Sequence, residues 1–198
     1  MERAAAIASV RPMSAAAVRL ARLDDAEALL EIYNVEVQTS TVTFDILPRS
    51  LDDQREWMTA RSGAHAVIVA ADDGGDVVGF ASLSPWRSRP AYATSVEDSV
   101  YVRRDQQGRG LGRLLLSELV DVGQAHGFHA MFARIVGGHA SSVRLHETLG
   151  FELVGTEREV GRKFGRWLDV VVMELLLGPP RSAEHAPAIG QGVPVPRS

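Results

Sequence analysis

Residues 101–113 read YVRRDQQGRGLGR, a pattern typical of a strand, a turn and the start of a helix. A strand that ends near Val102 is followed by a glycine-rich turn and then by a helix that carries Leu111, Leu115 and Leu119 on one stripe. Glycines allow successive backbone N–H groups to point into one concavity, and a helix start adds unpaired N–H donors and partial positive charge. The stretch therefore predicts an anion-binding turn suited to a pyrophosphate.

Three known patterns compete for this turn. A Walker loop is excluded because it needs GK[ST] after the second glycine, whereas Leu111-Gly112 follows Gly110. A dinucleotide fingerprint is weakly supported, because the spacing is G-x-G-x-G and the next strand, Ala130–Ile135, ends without an acid. The third pattern, Q/R-x-x-G-x-G/A, is met by residues 107–112. A tight strand–helix connection that binds no ligand is the alternative.

Outward from this turn, the periodicity predicts a mixed α/β domain. Hairpins occur beside strand–helix units, so we expect a mixed sheet rather than a purely parallel one. Helices are expected to begin at Asp24, with Glu27 completing a capping box, and at Ser50 with Asp53. Two further helices are expected at Leu111–Gln124 and Ser141–Leu149, and strands at Val18–Leu23, Ala64–Ala71, Asp76–Leu83, Ser95–Val102, Ala130–Ile135, Phe151–Glu159 and Leu168–Leu177.

Composition narrows the classes of protein. The 198 residues, 45% hydrophobic and 23% charged, suit one domain at 18–177 between disordered tails at 1–17 and 178–198, with Met13 as an alternative start. A net charge of −4 disfavours nucleic-acid binding, and no apolar run is long enough for a membrane helix. The absence of cysteine excludes a covalent Cys intermediate and fits a cytoplasmic protein. His126 and His129 have no third ligand nearby, so no metal is expected.

Further segments match one family in order and spacing. Over Val18–Leu177 the chain resembles the phosphinothricin and methionine sulfoximine N-acetyltransferase branch of the GCN5-related N-acetyltransferase (GNAT) superfamily. The resemblance implies a V-shaped, mostly antiparallel sheet flanked by helices, with acetyl-CoA in a split between two central parallel strands. The matching pieces, besides the glycine loop, are Ile32-Tyr33-Asn34, Thr41-Val42-Thr43-Phe44, Pro85-Trp86-Arg87, Ala91-Tyr92, Val96–Val102 and Ser142–Phe151.

The resemblance also implies which residues bind acetyl-CoA. The strand before the loop would pair its backbone with the pantetheine arm, and the loop would hold the pyrophosphate. His139 departs from the family, because relatives usually have asparagine there. The expected cofactor residues are Val100, Tyr101, Val102, Gln107, Gly108, Arg109, Gly110, Leu111, Gly112, Arg113, His139 and Ser142.

Acetyl transfer to an amine has two chemical needs. A substrate ammonium must lose a proton, and a departing thiolate must be stabilised. Glu97 is the candidate base, directly or through a water, because an apolar strand would raise its pKa by desolvation. Strand alternation places Asp98 on the opposite face, and the family comparison selects Glu97; a solvent-facing or salt-bridged glutamate is the alternative. His146 occupies a position where many relatives carry a tyrosine that acts as the acid near the leaving sulfur. It is expected to protonate the thiolate, to bind the cofactor or to serve only as a packing residue.

The acceptor side is expected in the segment after the third predicted strand. Guanidinium groups beside aromatic rings suit a small substrate with a carboxylate or phosphinate. Small residues at 93–95 are expected to widen the pocket, so methionine sulfoximine, methionine sulfone, phosphinothricin and other amino acid analogues stay open. The expected acceptor residues are Phe44, Trp86, Arg87, Ser88, Arg89, Tyr92, Ser95, Val96 and Glu97.

These features predict an N-acetyltransferase that acts on the α-amino group of a small amino acid or analogue, by direct transfer in a ternary complex. The family tendency also implies a homodimer. A peptide or protein N-terminal acetyltransferase and a non-catalytic coenzyme A-binding domain are the alternatives, and a nucleotide-binding oxidoreductase module is a third.

Overall fold

Seven strands and four helices make up the part of the chain that the structure describes. The structure is a computed structural model, and it describes residues 16–61, 63–137 and 139–178. The strands are β1 (Ala17–Leu20), β2 (Val67–Ala71), β3 (Val77–Pro85), β4 (Ser95–Val102), β5 (Ala130–Val136), β6 (Glu152–Lys163) and β7 (Arg166–Leu176). The helices are α1 (Ala26–Thr39), α2 (Leu51–Thr59), α3 (Leu111–Ala125) and α4 (Ala140–Glu147).

The strands form one mixed sheet in the order β1-β2-β3-β4-β5-β7-β6. All neighbouring pairs are antiparallel except β4 and β5, which are parallel. The parallel pair has only three registered positions, from Ser95 opposite Ala130 to Glu97 opposite Phe132. Beyond Glu97 the two strands part, while β4 stays paired with β3 up to Val102. The predicted fold class, with a split between central parallel strands, is confirmed.

The two faces of the sheet carry separate apolar cores. Leu115, Leu116 and Leu119 of α3 are fully buried against one face. Leu29 and Val37 of α1 are fully buried in the second core, which lies on the other face. Alternation along β2 and β3 supplies both cores, because successive side chains point to opposite faces. The sheet is therefore held on both sides, and the split lies between rigid walls.

The start of α1 differs from its predicted cap. Residues Leu23–Asp25 form a 3-10 turn, and α1 begins at Ala26. Asp25 rather than Asp24 accepts the Arg22 backbone N–H at 2.7 Å, and it also pairs with Arg19. The predicted Asp24–Glu27 capping box is therefore wrong.

The predicted cap of α2 is confirmed. The Asp53 N–H donates to Ser50 Oγ at 3.1 Å, and the Ser50 N–H donates to Asp53 Oδ2 at 3.0 Å. This reciprocal pair satisfies two backbone donors that a helix start leaves free.

The last two strands are longer than predicted. They form a hairpin that turns at Phe164 and Gly165, which both have positive φ. No helix in the described residues is long and apolar enough to cross a membrane. The predicted tails, except residues 16, 17 and 178, lie outside the described residues, as does the candidate start Met13.

Candidate active site

A cleft opens where β4 and β5 part. Its volume of about 820 Å³ is typical of ligand pockets, which range over roughly 300–1,000 Å³. Residues of β4, β5, α4 and the glycine loop supply its walls. Of the predicted site residues, it is lined by Phe44, Glu97, Val100, Tyr101, Val102, Gln107, Gly108, Gly110, Leu111, Gly112, His139, Ser142 and His146.

The glycine loop forms one end of the cleft. Gly108 and Gly110 have φ values of 75° and 81°, which side-chain-bearing residues rarely adopt. A Cβ at either position would meet no atom within 4 Å, so backbone conformation rather than space requires glycine. Gly110 is the N-cap of α3, whose first amides have no partner within the helix. The loop thus fits an anionic diphosphate group.

Three arginines around the loop have side-chain partners within the protein. Arg103 pairs with Asp105 at 2.8 Å, and Arg104 pairs with Glu36 of α1 at 2.7 Å. Arg109 donates a hydrogen bond to the Gln106 side-chain oxygen at 2.6 Å. Arg109 and Arg113 are exposed and do not line the cleft, so their predicted cofactor contacts would have to be made at its rim.

Glu97 lies at the last registered position before the split. Its side chain is half-buried and lines the cleft. Burial raises the pKa of Glu97 above its ordinary value; Arg134 opposes this rise, and Asp98 and Glu157 add to it. A carboxylate with a raised pKa is suited to take up a proton near neutral pH.

His146 is buried against Asp98, which had no predicted role. Its Nε2 lies 3.1 Å from Asp98 Oδ2, and its Nδ1 lies 2.7 Å from the Ser142 carbonyl oxygen. Burial alone would lower the pKa of His146, but the hydrogen bond and charge of Asp98, with the Ser142 carbonyl, raise it above the usual value. His146 also packs edge-on against Phe151.

The predicted acceptor loop lies beside the cleft rather than in its wall. Trp86 stacks on Phe132 at a centroid distance of 4.2 Å, and Phe132 is the register partner of Glu97. Arg87 lies over the rings of Trp86 and Tyr92, at 5.1 and 5.8 Å. The structure does not bring the following predicted acceptor residues into the cleft wall: Trp86, Arg87, Ser88, Arg89, Tyr92, Ser95 and Val96.

Val96 is a correction to the predicted acceptor pocket. Its side chain is fully buried in the core that α3 covers. Alternation along β4 causes this, because Glu97 faces the other side of the sheet. Val96 lies between its register partners Pro85 and Met131 and does not line the cleft.

Arg134 of β5 is a cleft residue that the sequence did not indicate. It lines the cavity and pairs with Glu157 of β6. Alternation along β5 would have placed Arg134 on the face of Phe132, but only the register with β4 shows that this is also the face of Glu97.

Phe44, a predicted wall residue, is held by the β6–β7 hairpin. A Cβ at Gly161 of β6 would lie 2.7 Å from the Phe44 ring, so the two segments touch. The buried Lys163 ammonium donates to the Thr43 carbonyl oxygen at 2.9 Å. These contacts tie the segment after α1 to the opposite side of the cleft.

Comparison with known families identifies the fold. The profile described as an acetyltransferase (GNAT) domain matches residues 18–172. The chain belongs to the GNAT acetyltransferase family. This membership confirms the predicted class, an acetyl-CoA-dependent N-acetyltransferase.

Two characterised relatives cover most of this GNAT enzyme. It is 43% identical over 169 residues to an L-methionine sulfoximine/L-methionine sulfone acetyltransferase of Pseudomonas paraeruginosa. The matched region covers 85% of this chain and 98% of the relative. It is 42% identical over 154 residues to a phosphinothricin N-acetyltransferase of Streptomyces coelicolor, with coverages of 76% and 90%. The predicted branch of the superfamily is confirmed.

A solved structure supports the same assignment. It is a GNAT superfamily phosphinothricin acetyltransferase from Sinorhizobium meliloti in complex with acetyl-CoA. The TM-score is 0.81 and the sequence identity 39%, with 88% of this chain and 94% of that chain covered.

Proposed function

We propose that this GNAT enzyme transfers the acetyl group of acetyl-CoA to the α-amino group of a small amino acid or analogue, directly and in a ternary complex. One observation carries the proposal: a single cleft has the glycine loop at one end and Glu97 on its wall, joined by β4. The names of the relatives support methionine sulfoximine, methionine sulfone or phosphinothricin as the type of acceptor.

The cofactor side of the proposal rests on β4 and the loop. Val100, Tyr101 and Val102 line the cleft and have no partner strand in register on their β5 side, so their backbone is placed to pair with the pantetheine arm. The amides of residues 107–112 would bind the pyrophosphate. Arg109 and Arg113 would add positive charge at the rim, and His139 and Ser142 would contact the cofactor from the α4 side.

Glu97 is proposed to take the proton of the substrate ammonium. Its burial favours proton uptake, and its place at the split puts it between the acceptor loop and the cofactor channel. The electron pair of the neutral amine then forms the new bond to the acyl carbon, and the thioester bond breaks toward sulfur.

Arginines at two places are candidates to bind the anionic end of the acceptor. Arg87 and Arg89 are proposed from the family position, with Trp86, Ser88 and Tyr92 beside them. Both arginines are exposed, so an acceptor would have to extend from Glu97 across Trp86 to reach them. Arg134 lines the cleft itself and is the alternative.

We also propose a cytoplasmic homodimer built from one acetyltransferase domain at 18–177. The strand β6 lies at the edge of the sheet, and β6, the adjoining turn and the first residues of β7 expose apolar side chains. A second copy that covers this surface would remove it from water and satisfy the free edge of the strand. The exposed apolar residues of this surface are Leu153, Val154, Val160, Phe164 and Trp167.

A thiol-release assay with acetyl-CoA tests the reaction. The acceptor panel should contain methionine sulfoximine, methionine sulfone, phosphinothricin, ordinary amino acids, their N-methylated forms and a short peptide. The proposal expects rapid release only with small free amino acids or analogues. Preference for the peptide would favour N-terminal acetylation, and acetyl-CoA binding with no release for any amine would favour a non-catalytic domain.

A further inference from the structure

Asp98 and His146 form a buried pair in the wall of the cleft. Their side chains are only 3% and 4% exposed, and both border the cavity. Glu97, the neighbour of Asp98, points to the opposite face of the same strand. The cleft therefore has the proposed base on one face of β4 and this pair on the other.

Hydrogen-bond geometry constrains the protons of the pair. The Ser142 carbonyl oxygen only accepts, so Nδ1 of His146 must carry a hydrogen. One further hydrogen lies between Nε2 and Asp98 Oδ2. With an ionised Asp98 this hydrogen is on Nε2, and the ring is a doubly protonated imidazolium. This protonation state of His146 is assigned from the hydrogen-bond partners of its two ring nitrogens.

A second observation separates this pair from a simple structural contact. Within the described residues, Oδ1 of Asp98 is buried and has no hydrogen-bond partner, although its residue borders the cavity. A buried carboxylate oxygen without a donor is unfavourable, and such groups in native structures are explained by catalytic use or by a missing partner. A group that enters the cleft beside Asp98 and carries a hydrogen, such as the thiol that forms when the thioester breaks, is such a partner.

We propose that Asp98 is a positioning residue that keeps His146 doubly protonated, so that His146 can give its Nε2 proton to the coenzyme A sulfur as the thioester breaks. Nε2 is the nitrogen that can change its partner, because its partner is a side chain and not the helix backbone. The inference rests on the reaction proposed above.

The proton balance of the step is complete. Glu97 takes one proton of the substrate ammonium and releases it to water, and the neutral amine then forms the nitrogen–carbon bond. The nitrogen gives its second proton to Glu97, and the electron pair of the carbon–sulfur bond goes to sulfur. Sulfur takes the Nε2 proton, which leaves neutral His146 with its Nδ1 hydrogen on Ser142 and Asp98 ionised. His146 then regains a proton from water and Glu97 releases the second proton to water, so each turnover frees one proton and the enzyme returns to its starting state.

Asp98 is the side chain that keeps the pKa of His146 raised. Among described groups, only Asp98 and the Ser142 carbonyl raise the pKa of His146, against the effect of burial. A donor above the ordinary histidine value lies closer to a thiol, whose pKa is about 8.5 for cysteine, and such matching favours proton transfer. The other charged side chains on β4, β5, α3 and α4 are exposed or lie on the opposite face of the sheet: Glu97 of β4, Arg134 of β5, Arg113, Glu118 and Asp121 of α3, and Arg144 and Glu147 of α4.

Asp98→Asn tests the inference because it keeps the shape of the side chain and removes its charge. The kcat at saturating substrates should fall on the alkaline side in the wild type as His146 loses its proton. In Asp98→Asn this limb should move to lower pH, because burial then dominates. At pH 8 we expect kcat to fall about 10–100-fold, and the KM for acetyl-CoA to change little. The fall is smaller than the roughly 10²–10⁴-fold that a general acid contributes, because the variant keeps His146 and loses only its protonated fraction.

Nitrogen NMR of the ring provides a readout that a structural role would not move. The wild-type His146 signal, assigned with His146→Gln, should show two protonated nitrogens above pH 6.5, whereas Asp98→Asn should show one. The control is Asp121→Asn, which removes an exposed carboxylate from α3. An unchanged alkaline limb in a folded Asp98→Asn, or a singly protonated wild-type ring at pH 7, overturns the inference. Absence of thiol release by the wild type with every acceptor would instead overturn the proposed function, and the wild-type NMR titration would still decide the state of the pair.

Discussion

Replacement of Gly110 by alanine isolates the contribution of the loop conformation to acetyl-CoA binding. Gly110 has a φ of 81°, and its added Cβ would meet no atom within 4 Å, so the substitution introduces no clash. An L-residue in this left-handed region costs roughly 1–2 kcal/mol. The mutant chain can relieve this strain by turning the loop backbone, and the amides at the start of α3 would then no longer converge on the diphosphate.

The chain offers a matched control at Gly75. This glycine, in the turn between β2 and β3, has a φ of 87° and equally open surroundings, but it does not line the cleft. Both substitutions introduce the same strain, and for a domain of this size each kcal/mol of strain that the folded state keeps lowers Tm by about 2–4 °C. We therefore expect Tm to fall by about 2–8 °C in Gly75→Ala, and by less in Gly110→Ala, whose loop relieves strain when no ligand is bound.

Only Gly110→Ala should weaken acetyl-CoA binding. If binding must restore the strained loop, the 1–2 kcal/mol appears as a roughly 5–30-fold higher Kd in titration calorimetry. The kcat at saturating acetyl-CoA should stay close to that of wild type, because the bound loop is the same. Equal acetyl-CoA affinities for Gly110→Ala and Gly75→Ala would refute the assignment of the loop as the diphosphate site.

Three further predictions address the base, its electrostatic surroundings and the dimer. Glu97→Gln should lower kcat about 10²–10⁴-fold near neutral pH and leave acetyl-CoA affinity intact by calorimetry, and an unchanged kcat/KM would remove Glu97 from the mechanism. Burial raises the pKa of Glu97 and a base acts when ionised, so kcat should rise with pH through that raised pKa; Glu157→Gln should move this acid limb to lower pH and Arg134→Gln to higher pH, and shifts in the same direction would contradict the electrostatics. Trp167→Glu should convert the dimer to a monomer in sedimentation velocity, whereas a monomeric wild type would contradict the proposed interface.

The local parts of the site could be predicted because their causes are local. The strand β4 lies at Ser95–Val102 as predicted, and the glycine loop follows it with positive φ at Gly108 and Gly110. Both depend on alternation and on glycine conformation, which a short window of sequence contains. The Ser50–Asp53 cap is of the same kind, since both of its hydrogen bonds join residues three apart.

Elements that depend on a distant partner were missed. Asp24 was the predicted cap, whereas Asp25 accepts the Arg22 N–H and is held by Arg19 of β1, a partner that the helix pattern does not include. The pairing of Arg134 with Glu157 likewise needs the β5–β7–β6 order, which periodicity does not contain. Arg87 and Arg89 were predicted from a local pattern that suits an anion, but the fold leaves both outside the cleft wall.

The adjacent acids of β4 show why the point of strand separation matters for the chemistry. Alternation always sends neighbouring side chains to opposite faces, and in a continuous sheet two such carboxylates would be separated by the sheet itself. Here β4 loses its parallel partner after Glu97, so a ligand in the split can reach the face of Glu97 and the face of Asp98 together. A reaction that removes a proton from one reactant and supplies one to another needs two proton sites that do not neutralise each other. The split keeps the two proton sites apart, because Asp98 is hydrogen-bonded to His146 on one face of β4 and Glu97 lies on the other.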